Sequence, residues 1–123
     1  MAKILSVDDE PQLRDMVKQM LERDGHQVTT AKEGGDALQK LSEQHFDLMI
    51  LDMLMPGKDG IETTMEARKL YPHLKILAVS GGRRAISANF NLSSATLMGA
   101  TAMLEKPFDW NKLRAAVSEL LAG

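Results

Sequence analysis

Acidic residues sit at two places where apolar runs stop. Asp8, Asp9 and Glu10 close the stretch "KILSV", and a single acid, Asp52, closes "LMIL". A carboxylate at such a place can attack an electrophile, move a proton or ligate a hard cation. Two further groups end apolar runs in the same way: the hydroxyl of Ser80 after "KILAV", and Lys106 after "AMLE". Taken singly, each has an ordinary explanation. Glu10 before Pro11 could cap a helix, Ser80 could be a strand-end hydroxyl and Lys106 a surface lysine. Capping requires one acid, not three, so the question is whether the chain brings these groups together.

Periodicity supplies the elements that would position them. Ile4, Leu5 and Val7 form a short strand, after which Pro11 opens a helix at its favoured first position. Leu13, Met16, Val17, Met20 and Leu21 follow at i, i+3, i+4, i+7 and i+8, a helical stripe ended by Asp24-Gly25. "QVTTA" (27–31) reads as a more polar strand, and Gly34-Gly35 leads into a helix carrying Ala37, Leu38 and Leu41. The run 48–51 is a strand buried on both faces, and a helix with a thin apolar face extends from about Ile61 to Leu70, before Pro72. A fourth strand is expected over 75–80, a helix near 90–98 ending at Gly99, and a fifth strand over 101–105. The last helix follows Asp109, with Trp110, Leu113, Val117, Leu120 and Leu121 on one side.

This alternation predicts an α/β fold, (βα)5, with a doubly wound, five-stranded parallel sheet covered by helices on both faces. The first, third and fourth strands are the most continuously apolar and belong inside, the second and fifth are the better edge candidates, and the order 2-1-3-4-5 fits with right-handed crossovers. Ligands in such sheets bind beyond the carboxyl ends of the strands, at the switch point between strands one and three. That crevice collects Asp8, Asp9 and Asp52 despite their separation in sequence. Like charges so close oppose folding unless something positive joins them. A hard divalent cation with oxygen ligands, Mg2+ above all, suits the set, with Lys106 as a second, fixed positive charge.

Composition narrows the setting. The chain has 123 residues, a formal net charge of −2 and no cysteine, with 44% hydrophobic and 26% charged residues. One domain spanning 1–123 is expected, with no disulfide or thiolate metal site. The charge argues against general nucleic-acid or anionic-membrane binding. No signal peptide or membrane span is expected, and a cytoplasmic protein is the default reading. His26, His45 and His73 share no ligand-like spacing and read as surface or boundary residues. The nine methionines read as fillers of core gaps, and Arg83-Arg84 as a solvated loop pair.

The segments "SVDDEP", "DLMILDMLMPGKDG", "LAVSG" and "LEKPF" resemble, in order and spacing, the blocks of two-component response-regulator receiver domains, over about residues 2–121. The resemblance implies a flavodoxin-like fold and a stand-alone, chemotaxis-receiver-like module that is not a turnover enzyme on an external substrate. It implies that Asp52 accepts a phosphoryl group from a histidine kinase or phosphotransfer protein. Asp9, Asp52 and the backbone carbonyl of Leu54 would hold Mg2+, with Asp8 contributing directly or through water. Ser80 and Lys106 would contact phosphoryl oxygens, and the Lys106-Pro107 bond would be cis. Phosphorylation would then switch a protein-binding surface made by the helix near 90–98, the fifth strand and the last helix, for a downstream protein that the sequence does not specify.

Some positions depart from the usual pattern. Met103 stands where an aromatic switch residue is common, and Leu54 and Gly82 offer no polar side chain to orient an attacking water. No effector domain or DNA-binding helix-turn-helix is expected within 1–123, so output would pass through a partner. The alternatives are a phosphate-shuttle intermediate in a phosphorelay and a phosphorylation-independent docking module. A flavin carrier is disfavoured because three acids would repel phosphate after strand one. An aspartyl-nucleophile phosphatase would want an Asp-x-Asp on that strand.

Overall fold

A computed structural model describes residues 2–53, 60–81, 99–106 and 109–122. The element order is β1 (Lys3–Val7), α1 (Pro11–Arg23), β2 (Gln27–Ala31), α2 (Gly34–Glu43), β3 (Leu48–Asp52), α3 (Gly60–Leu70), β4 (Lys75–Gly81), β5 (Ala102–Lys106) and a C-terminal helix (Trp110–Ala122). The five strands form one sheet in the order β2-β1-β3-β4-β5, every pairing parallel. The central places go to the strands with the most continuous apolar runs, as the burial argument requires.

Alternation along the strands divides the core into two layers. Leu5, Val7, Met49, Leu51, Ile76 and Ala78 face the side covered by α2 and α3, where Ala37, Leu41 and Ala67 meet them. Ile4, Leu48, Ile50, Leu77 and Val79 face the opposite side, where Val17 and Leu21 of α1 and Leu113 and Val117 of the C-terminal helix close the layer. Leu48 and Ile50 share a face, so the period of two carries Asp52 to the α1 side of the sheet.

Local sequence explains the ends of the helices. The turn after α1 is a Schellman motif: Gly25 has φ +92°, its N–H donates to Glu22 O, and His26 N–H donates to Leu21 O. Glu33 Oε1 accepts from Asp36 N–H at the start of α2, and Asp109 Oδ1 accepts from Lys112 N–H at the start of the C-terminal helix. Glu10 occupies the cap position of α1 without a side-chain cap bond. The capping role open to Glu10 in the sequence is therefore not used.

Two expectations about packing are corrected. Met16 lies in the periodic stripe of α1 but is 49% exposed, because the buried face of α1 narrows to Val17 and Leu21. Met49 and Met53 are buried core residues, whereas Met16 and Met65 are exposed, so not every methionine fills a gap. The thin apolar face of α3 reflects small residues: Gly60, Thr63, Thr64 and Ala67 are the ones it buries. Small side chains let α3 lie close to β3, and Thr64 Oγ1 turns its polarity inward by donating to Gly60 O at 2.7 Å.

Candidate functional site

Strand β3 runs one residue further than its apolar run, so Asp52 is itself a strand residue paired with Val79 of β4. Met53 N–H donates to Val79 O at 2.9 Å, which extends the ladder past the acid. Asp52 is 6% exposed, and its backbone is held by the pairing with β4 at Val79 and by the bond from the next residue. On the other side of the switch point, Val7 of β1 pairs with Leu51, so Asp8 and Asp9 emerge directly beside Asp52.

The turn between β1 and α1 is held by local bonds. Asp8 N–H donates to Ala31 O of β2 at 3.2 Å, Asp8 Oδ1 accepts Glu10 N–H at 2.9 Å, and Arg14 Nη1 donates to Asp8 O at 2.8 Å. Asp8 is buried and Asp9 half-buried. Ligand atoms of Asp8, Asp9 and Asp52 all lie within 4.8 Å of one another. Two unit charges at that separation repel by about 3 kcal/mol at an effective dielectric of 20. Three carboxylates, two of them buried, make an all-oxygen donor set of the kind a hard divalent cation takes. By donor chemistry the residues fit Mg2+.

Ser80 and Lys106 lie at the same end of the sheet by backbone register. Ser80 pairs with Glu105 and Gly81 with Lys106, one and two steps beyond the Asp52–Val79 pair. The roles expected of their side chains lie outside the described residues. So do the Leu54 carbonyl, the helix near 90–98, Gly82, the Arg83-Arg84 pair and the Lys106-Pro107 peptide. Met103 is half-buried and packs against the α2/α3 layer.

Behind the acids, α3 begins in contact with β3. A Cβ built on Gly60 would lie 2.3 Å from Met53 Cα and 2.6 Å from Asp52 O. Residue type alone gives no hint of this approach, since Asp59-Gly60 reads as a turn. Arg14 was equally silent in the sequence; only its recurrence four residues after Glu10 could have drawn attention to it. At the far end of the sheet, His26, His45 and His73 line one cavity of about 940 Å3, together with Asp47, Tyr71 and Lys75. His26 is half-buried and His45 and His73 are exposed, so the three are surface or boundary residues, as expected, at the pole opposite the acids.

Fold and site together define a doubly wound α/β domain with a candidate cation-binding crevice at its switch point. The family model for the response regulator receiver domain matches residues 4–118, and the chain belongs to that family. A transcriptional regulatory protein, CpxR homolog, of Haemophilus influenzae is 36% identical over 98% of this chain and 51% of its own length. The chain thus spans about half the length of that relative. Among solved structures, the chemotaxis protein CheY4 of Vibrio cholerae matches with TM-score 0.89 and 32% identity, over 98% of this chain and 99% of that one. The response regulator TrrA of Thermotoga maritima, in complex with Mg2+ and BeF, matches with TM-score 0.84 and 34% identity, over 98% and 100% of the two chains. Among the described residues no helix is long and apolar enough to cross a membrane.

Proposed function

We propose that this receiver domain takes a phosphoryl group onto Asp52 from a histidine kinase or phosphotransfer protein, in a Mg2+-dependent step, and thereby switches a protein-binding surface. The observation that carries the reading is the convergence of Asp8, Asp9 and Asp52 within 4.8 Å at the switch point. The Mg2+–BeF complex of TrrA supports it by likeness.

In this reading an Asp52 carboxylate oxygen attacks the phosphorus of a phosphohistidine. A P–O bond forms, the P–N bond breaks, and the imidazole nitrogen leaves with the electron pair and takes a proton. Asp8, Asp9, Asp52 and the Leu54 carbonyl would hold Mg2+, which when bound offsets repulsion between carboxylate and phosphoryl oxygens. The ladder to β4 at Val79 orients the nucleophile, and burial keeps competing water from most of its surface. Lys106 would pair with one phosphoryl oxygen and Ser80 would donate a hydrogen bond to another. The added charge of about −1.5 to −2 then draws Ser80 inward and moves the chain after it. Relay of the phosphoryl group onward is the second reading, and the same step serves it.

Incubation with a small phosphodonor and Mg2+ tests the assignment. An acid-stable, base-labile adduct is expected on the wild type and none on Asp52→Asn. Labelling of the Asn variant would move the acceptor elsewhere.

A further inference from the structure

We propose that Arg14 is a positioning residue for the acidic site: its guanidinium holds the Asp8–Asp9 peptide in the register that brings both carboxylates to Asp52. This rests on the cation-site reading above and adds a residue which that reading does not contain.

The turn from β1 to α1 is only three residues long, Asp8 to Glu10, and two of the three supply candidate ligands. α1 lends this turn little help from its own first turn, which has no acidic residue and no side-chain cap. Arg14 instead grips the turn with its side chain, in addition to the helical backbone bond that any residue there would make. Its backbone N–H donates to Glu10 O at 3.0 Å, and its side chain reaches back six residues so that Nη1 donates to Asp8 O at 2.8 Å. That carbonyl belongs to the peptide joining Asp8 to Asp9. Its plane is set by ψ of Asp8 and φ of Asp9, the two torsions that fix how one carboxylate is oriented relative to the other. The bond to Ala31 O holds the N–H of Asp8 and the bond from Glu10 holds its side chain; the Arg14 bond holds the peptide beyond it.

A guanidinium near a cation site could also act by repelling the cation. Arg14 is half-buried at the edge of the helix, where water and salt screen its charge. The hydrogen bond, by contrast, is short and local. Geometry therefore outweighs charge, and removing Arg14 should weaken cation binding.

Mg2+ titration of the whole chain by calorimetry, and of its melting temperature, tests this. Arg14→Met keeps the helix propensity and the apolar stem. Its Mg2+ dissociation constant is expected to rise about tenfold, the low end of what losing an outer-shell partner costs, with a melting temperature in EDTA close to that of the wild type. A constant equal to the wild type's overturns the proposal, including the case where only the EDTA melt drops, which would make Arg14 merely structural. A tighter constant also overturns it, because the charge would then be the dominant effect. Should Arg14→Met not fold, Arg14→Lys carries the expectation of a smaller rise in the same direction, and no rise overturns the proposal. A wild type that ignores Mg2+ overturns the cation site and this inference together, and is recognised by the failure lying in the wild type.

Discussion

Replacing Gly60 by alanine should damage both the stability of the domain and the aim of its nucleophile. For Gly60 the constraint is the space its Cβ would need at the start of α3. The added Cβ would stand 2.3 Å from Met53 Cα, 2.6 Å from Asp52 O and 2.7 Å from Met53 C, where 3.4–4 Å is ordinary contact. All three obstacles are backbone and none can rotate away. Either α3 or the end of β3 must retreat by about 1 Å, an overpacking that costs about 1–3 kcal/mol. The higher helix propensity of alanine returns less than 1 kcal/mol of this at a helix start. For a chain of this size each kcal/mol lowers the melting temperature by roughly 3–5 °C. Because the clash falls on the Asp52 carbonyl, a displaced carboxylate should also slow phosphorylation by a small-molecule donor, up to about 100-fold for a 1 Å error. Gly35→Ala is the comparison: its Cβ meets only the Glu33 carboxyl group, nearest at Oε1, 3.0 Å away, the end of a side chain that can move at the cost of loosening its cap on Asp36 N–H. Thermal and urea unfolding of both variants, with phosphorylation rates at saturating Mg2+, decide the matter. A Gly60→Ala protein as stable and as fast as Gly35→Ala would refute the reasoning.

Arg68 bonds to Gly99 O through Nε at 2.9 Å, to Pro72 O through Nη1 at 2.7 Å and to Thr101 Oγ1 through Nη2 at 3.2 Å. Arg68→Ala should therefore lose about 2–3 kcal/mol in urea unfolding, with Arg68→Lys recovering only part because one ammonium cannot span three acceptors. At the opposite pole, the Lys3 N–H bond holds the Asp47 carboxyl below its ordinary value of 3.8, helped by His45 and opposed by burial. A lowered carboxyl pKa means stability that is present above the ordinary value and lost as pH falls through the folded one. Asp47→Ala should then be less stable than the wild type at pH 7 by an amount that shrinks below about pH 3.8, seen by melts across pH; a constant difference would refute the linkage. Finally, Leu54 and Gly82 present no polar side chain, so the Asp52 adduct should persist well beyond seconds in a hydrolysis time course.

The division into central and edge strands was legible because burial leaves a compositional trace: strands enclosed on both faces carry few polar residues in their middles, Ser6 of β1 being the buried exception, so "LMIL" and "KILAV" declare themselves central while "QVTTA" declares itself an edge. The site was legible for a related reason. Asp52 is buried at 6% exposure, and a buried charge at the end of an apolar strand is costly enough that its presence demands a partner chemistry. Contacts made by backbone atoms leave no such trace. Gly60 against Met53, and Arg14 on the Asp8 carbonyl, depend on where the peptide groups lie in space, and nearly any turn glycine or helical arginine would look the same in sequence. Met16 marks the complementary limit, since a stripe at helical spacing states which residues could face inward and not how wide the buried face is. The receiver thus shows its chemistry in side chains and hides its alignment in backbone contacts. Substitutions that leave every acid in place, Gly60→Ala and Arg14→Met, are accordingly the ones expected to separate the presence of the site from its precision.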